Sequence, residues 1–197
     1  MSNDYQYDDP DFVYVDPATG ILRNKHGIDD EQLLTLTEGF EVAKRLEELE
    51  DHPILIQSAE SLLDIHGYLF QDVYEWAGNT RTVDISKQGT PFLTRAAFSE
   101  AFPYVDSLIR NYRQINTITE DDARSLAVVL DALNYLHPFR EGNGRAQREF
   151  LRVLALEKNY HLNLNPPDDQ SVYERYMRGT IEGDVELLAA LIAELIK

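Results

Sequence analysis

The chain has 197 residues, 43% of them hydrophobic, with 35 acidic against 18 basic residues and a formal net charge of −17. That length and apolar content suit one well-buried core rather than two independent domains, and the acidic balance disfavours binding to a nucleic-acid backbone. The lack of cysteine excludes a disulfide framework, a thiol nucleophile and a Cys-based zinc site; no apolar run is long enough to cross a bilayer, so no membrane partner is expected.

Residues 1–16 are polar and acidic rather than basic-then-apolar, unlike a secretory signal, so a cytoplasmic protein is expected. An export route that needs no such signal would leave no trace there. Residues 1–28 read as an irregular arm, with turn chemistry at Asp16-Pro17-Ala18-Thr19-Gly20, ahead of one domain over 29–197. Asp29 or Asp30 can cap a helix carrying Leu33, Leu34, Phe40, Val42, Ala43 and Leu46. Residues 58–76 place Leu62, Ile65, Leu69, Phe70, Val73 and Trp76 at helical spacing, and Ala77-Gly78-Asn79 ends the run. Residues 81–86 are β-branched and alternating, Gln88-Gly89 is a turn, and 90–93 follow: a short hairpin with a proline-blunted second arm.

Residues 94–112 read as a helix bent at Pro103. Thr119 with Asp122 resembles a capping box ahead of a helix whose stripe is Ala123, Leu126, Ala127, Leu130 and Leu133. Pro138 forbids its continuation, and a new helix starts near Gly142-Asn143 and runs to about Lys158. A loop at Asn163, Pro166 and Pro167 precedes two closing helices over 169–178 and 184–196. The sum is one mainly helical domain with a small hairpin.

Most of the chemistry lies in His137-Pro138-Phe139-Arg140-Glu141-Gly142-Asn143-Gly144-Arg145-Ala146-Gln147-Arg148. Two glycines around a small polar residue let the backbone approach a ligand, and the amides and dipole of a helix start favour an anion. Arg145 and Arg148, three apart, can share one face and clamp a polyphosphate. Arginine spacing alone would read by default as a mixed-charge helix face. Glu141 is the loop's one carboxylate, the usual hold for Mg²⁺ beside phosphates. His137 titrates near neutral pH and can take a proton from an attacking hydroxyl. Anion hole, metal ligand, clamp and base together describe phosphoryl or nucleotidyl transfer. His26, His52, His66 and His161 lack a partner pattern and read as structural or surface groups. No G-x-x-x-x-G-K-[S/T] or H-E-x-x-H occurs, so neither a P-loop ATPase nor a zinc hydrolase is supported.

The segment matches H-x-F-x-[D/E]-G-N-G-R-x-x-R at every fixed position and thereby resembles the Fic family. Asp84-Ile85-Ser86-Lys87, Trp76-Ala77-Gly78 and residues 16–22 with Gly27-Ile28 extend the resemblance. It implies an all-α Fic fold, a single domain with a β-hairpin flap over the active site. It implies a protein adenylyltransferase that uses ATP and Mg²⁺, with His137 as base and Glu141 as metal ligand. The nucleotide would lie along Gly142, Asn143, Gly144, Arg145, Ala146, Gln147 and Arg148. In the family, the amides of residues 142–144 cradle phosphates, Asn143 adds a side-chain contact, Arg145 holds the β-phosphate and Arg148 the γ-phosphate. Phe139 anchors the loop in the core. Lys87 on the flap, Asn134 one turn before the histidine, and Arg175 with Tyr173 and Tyr176 are further nucleotide candidates. The flap would pair with the backbone of a target protein, and toxins of this family that modify a type II topoisomerase subunit are one precedent.

Many Fic proteins silence themselves through [S/T]-x-x-x-E-[G/N]. Here Glu38-Gly39 has Leu34 at the hydroxyl position and Glu182-Gly183 has Arg178, so neither fits. The resemblance then implies an inhibitory glutamate supplied in trans by a small antitoxin. A kinase-like variant of the same fold and a catalytically silent binding module are the competing readings.

Overall fold

A computed structural model describes residues 5–7, 9–87, 89–115 and 119–196, with the side chains of 5–7, 87, 90 and 119 outside that description. Helix α1 (Glu31–Asp51) is capped by Asp30, whose carboxylate accepts the Leu33 N–H at 2.8 Å. Helix α2 (Ser61–Phe70) is shorter than its apolar periodicity suggests; the chain leaves it in turns, and Gly78 takes a φ of +79°. A 3-10 turn over Arg95–Ala97 leads into α3 (Phe98–Gln114), which carries Pro103 in its interior.

Helix α4 (Thr119–Leu136) is the axle of the molecule and packs against α3, α5 (Asn143–Leu156) and α7 (Val185–Leu195). Its expected stripe of Ala123, Leu126, Ala127, Leu130 and Leu133 is buried, joined by Val129 and Leu136, so the helix is enclosed on most sides. Asp122 is the acidic half of the expected capping box. It is fully buried, and its carboxylate takes Lys158 Nζ at 2.5 Å and the Tyr160 hydroxyl at 2.9 Å. The partner expected for it, Thr119, has its side chain outside the described residues. Helix α6 (Gln170–Glu182) ends on Gly183 at φ +64°, and α7 packs back on α4 and α6.

The hairpin is real but small: β2 (Ile85–Lys87) pairs antiparallel with β3 (Thr90–Pro91). The arm expected to be irregular adds strand β1 (Tyr5–Tyr7), antiparallel to β2 in the register Gln6 with Ser86, giving the sheet order β1-β2-β3. The arm also docks Tyr14, whose hydroxyl accepts the Thr82 N–H at 2.9 Å and whose ring meets Trp76 edge-on. The hairpin is therefore held from its outer side by the arm. Arg81 holds its root: 2% exposed, it donates from its backbone to Pro138 O (2.7 Å), from Nε to His137 O (2.9 Å), and from its Nη atoms to Val83 O and Leu93 O. Among the described residues, no helix is long and apolar enough to cross a membrane.

Candidate active site

One cleft of about 670 Å³ gathers the chemistry, within the usual range for a small-ligand site. Its wall is built by the end of α4, the start of α5, the C-terminal half of α6 and β3 of the hairpin.

His137 ends α4. Its N–H still bonds Leu133 O at 3.1 Å, but its own backbone turns left-handed at φ +42°, and Pro138 follows. A non-glycine residue in that region costs on the order of 1 kcal/mol or more, and the turn brings the imidazole to the cleft. Nδ1 lies 3.2 Å from Asn134 O. A carbonyl oxygen only accepts, so Nδ1 carries the proton and the basic lone pair belongs to Nε2. Phe92 of the hairpin stacks on the ring, with centroids 3.8 Å apart and planes at 23°. The flap thereby shields the imidazole to 5% exposure while both residues line the cleft.

Helix α5 opens on Gly142 at φ +82°, a left-handed position that glycine takes without strain. Helical geometry leaves the N–H groups of Asn143, Gly144 and Arg145 without a carbonyl of their own helix, aimed out of its positive end. The Ala146 N–H is the first to bond inside, to Gly142 O at 3.2 Å. Arg145 and Arg148 both line the cleft. Arg148 lies against Tyr173 and Tyr176, 5.3 Å from the centroid of the latter. Burial pushes the Tyr176 phenol up, which keeps it neutral. Glu141 presents its carboxylate at the same opening, with Oε1 accepting the Gly142 N–H at 3.0 Å and standing 3.7 Å from Arg145.

Several expected ligand residues have other tasks. The Asn143 carboxamide is spent on the loop: it accepts the Phe139 N–H at 2.9 Å and donates to Phe139 O at 2.8 Å. Gln147 touches the cleft, yet its amide donates to Leu133 O. Asn134 lines the cleft and ties α4 to α6 by donating to Thr180 O at 2.9 Å. Ala146 is wholly buried in the core. Arg175 stands apart, in a two-pronged ion pair with Glu194 at 2.7 and 2.8 Å, and does not line the cleft. The side chain of Lys87 lies outside the described residues.

Sequence reasoning missed three supports. His66 is fully buried and stacked on Phe139 at 3.7 Å. Its Nε2 donates to Glu141 O at 3.0 Å, and its Nδ1 accepts the Gly78 N–H at 2.9 Å. Desolvation pulls its pKa down to about 3, so the ring is neutral and pins the Glu141 backbone. Arg81 fixes the backbone of His137 to the root of the hairpin. Glu38 pairs with Arg145 at 2.6 Å. The cleft also extends past Asp131, Met177, Ile181 and Gly183, where burial raises the Asp131 carboxyl. Glu38 and Gly183 sit in the near-miss inhibitory segments and the others in no local motif; only the fold brings them to the cleft and its loop.

A helical core that turns a histidine toward an anion-binding helix start, beneath a hairpin, defines a domain built to handle a nucleotide. A family model described as the Fic/DOC family matches residues 56–155. Protein adenylyltransferase VbhT of Bartonella schoenbuchensis is 33% identical over 192 residues, aligning 95% of this chain with 39% of that protein, so this chain spans well under half of that relative. The probable protein adenylyltransferase Fic of Salmonella typhimurium is 31% identical over 93% of this chain and 91% of its own. The ADP-bound N-terminal Fic domain of a VirB-translocated Bep effector protein from Bartonella quintana superposes with a TM-score of 0.81, at 25% identity over 93% of this chain and 94% of that one. This chain belongs to the Fic/DOC family.

Proposed function

We propose that the chain is a protein adenylyltransferase, moving AMP from ATP to a side-chain hydroxyl of another protein and releasing pyrophosphate. The observation that carries this reading is the meeting, in one cleft, of the basic Nε2 of His137 with the amide-lined start of α5 and its two arginines. Relatives named protein adenylyltransferase and a similar domain with bound ADP support it.

The target hydroxyl gives its proton to His137 Nε2 as its oxygen attacks the α-phosphorus, and the bond to the bridging oxygen of pyrophosphate breaks. The N–H groups of Asn143, Gly144 and Arg145 hold phosphate oxygens, and the guanidinium groups of Arg145 and Arg148 take the charge of the outer phosphates. Phe92 shields the imidazole and keeps it aimed at the cleft. Glu141 fits a Mg²⁺ partner, being one carboxylate on the rim of the cleft beside the phosphate-binding arginines. Mg²⁺ typically takes one or two carboxylates and completes its shell with substrate phosphates and water. The metal, when bound, would supply neutralisation of charge on the leaving phosphates.

The protein target docks along the hairpin, and the chain is restrained in trans by a small antitoxin-like protein. Support for restraint in trans is that Glu38, the glutamate of the near-miss inhibitory segment, is engaged with Arg145, while Arg148 leans on tyrosines. A purified chain that is inert until one of its own segments is deleted would contradict this.

ATP labelled at either phosphorus tests the chemistry in a lysate. Label transferred from the α-position only is the expected result; label from the γ-position only would make the chain a kinase, and label from neither would remove the assignment. His137→Ala is expected to abolish transfer while ATP still binds, since the base is needed for attack and not for clamping.

A further inference from the structure

The buried stripe of α1 runs through Leu34, Glu38, Val42 and Leu49. Three of these are apolar core residues. The fourth is a carboxylate, 8% exposed, at a position where helical spacing calls for another aliphatic side chain. A polar residue held in a core stripe marks a place where packing has yielded to another requirement.

Both oxygens of Glu38 are committed. Oε1 takes Arg145 Nη2 at 2.6 Å, and Oε2 accepts the hydroxyl of Tyr74. Tyr74 is itself fixed: it is 1% exposed and stacked on Trp76 with centroids 4.3 Å apart. Arg145 in turn lies over the ring of Phe70 at 4.7 Å and reaches the cleft with 24% of its side chain exposed. A relay of immobile groups thus runs from the aromatic core, through Tyr74 and Glu38, to a guanidinium at the phosphate end of the cleft.

We propose that Glu38 is a positioning residue for nucleotide binding, which holds Arg145 away from Glu141 and so keeps both groups available to the substrate. The proposal rests on the reading of Arg145 as a phosphate clamp. Glu141 stands just ahead of the helix start and Arg145 in its first turn, and their nearest atoms are already 3.7 Å apart. A guanidinium and a carboxylate that close together pair readily when nothing competes. With Glu38 taking Nη2, the guanidinium has a carboxylate partner on the α1 side and need not collapse onto Glu141. Without it, the clamp and the loop carboxylate neutralise each other, and the phosphates lose a cation. The opposite role, a glutamate that occupies the arginine to exclude phosphate, predicts a gain on removal.

The test uses the full chain, with ATP binding measured by calorimetry in EDTA and again in Mg²⁺, and folding checked by thermal melting. Glu38→Gln keeps an acceptor for the Tyr74 hydroxyl but faces Arg145 with a neutral amide. It is expected to weaken ATP binding about ten-fold, the scale of one charge-assisted contact, with a melting transition that remains cooperative. In a Glu141→Gln background, where Arg145 has nothing to collapse onto, the same change is expected to cost about three-fold or less, a coupling that general loosening of the fold would not produce. Tyr74→Phe leaves the ion pair in place and is expected to give a smaller loss than Glu38→Gln. Unchanged or tighter ATP binding by Glu38→Gln, or an equal loss in both backgrounds, would overturn the proposal. A wild-type chain that binds no ATP would instead defeat the assignment of Arg145 on which it rests.

Discussion

Replacing Gly142 by alanine strikes the hinge between the catalytic loop and the anion-binding helix. Two costs add. The backbone there has φ +82°, where an L-residue with a Cβ loses about 1–2 kcal/mol. The new Cβ would stand 2.3 Å from Phe70 Cζ and 2.5 Å from Cε2, well inside contact distance. Phe70 cannot simply retreat, because it is fully buried, stacked near His66 at 4.5 Å, and covered by Arg145. Overpacking of this kind costs about 1–3 kcal/mol, so the total is about 2–5 kcal/mol, a large share of the 5–15 kcal/mol of a typical domain. Urea unfolding with an unchanged m-value measures it. Phe70→Leu in the alanine background is expected to restore part of the steric share and none of the backbone share, so the two changes are non-additive. Destabilisation below about 1 kcal/mol, or strict additivity, would refute the account of the helix start as a contact that admits no side chain.

Three further outcomes follow from named contacts. His66 is held neutral with its pKa near 3, against about 6.5 when unfolded. Below pH 6.5 the unfolded chain therefore binds a proton that the folded chain refuses, and stability falls by about 1.4 kcal/mol per pH unit as the pH drops towards 3. His66→Gln is expected to lack this contribution, so its stability deficit against wild type shrinks between pH 7 and pH 5; a constant deficit would show that the ring is not buried neutral. Asn143→Ala strands the N–H and C=O of Phe139, both bonded to its carboxamide, and is expected to cost roughly 2–4 kcal/mol in chemical denaturation. Arg175→Ala removes only a partly exposed ion pair with Glu194; less than about 1 kcal/mol of stability and no change in ATP affinity are expected by denaturation and calorimetry.

The signature segment was legible because its chemistry is local. His137, Glu141, Gly144, Arg145 and Arg148 lie within twelve consecutive residues, and a helix stop followed by a helix start delivers them to one cleft without help from distant pairings. The buried stripe of α4 was legible for the same reason, since helical period alone fixes a face. Asn143 and Gln147 stand in the same segment, yet which way a carboxamide turns depends on the carbonyls and amides that surround it. Here those belong to Phe139 and Leu133. Arg175 was placed near the nucleotide from its helix alone, and the side of α6 that faces α7 pairs it with Glu194.

The sequence by itself determined the family, the mainly helical class, the hairpin and the loop that carries the histidine, because each is written in short-range spacing and turn chemistry. Only the tertiary structure decided that Glu38, His66 and Arg81 serve that loop, that Asp131 lines its cleft, and that residues 5–7 of the arm join the hairpin as a strand. These contacts join residues as far apart as Glu38 and Arg145. Their free energy comes from burial and pairing that exist only once the chain has closed on itself, so no local pattern encodes them.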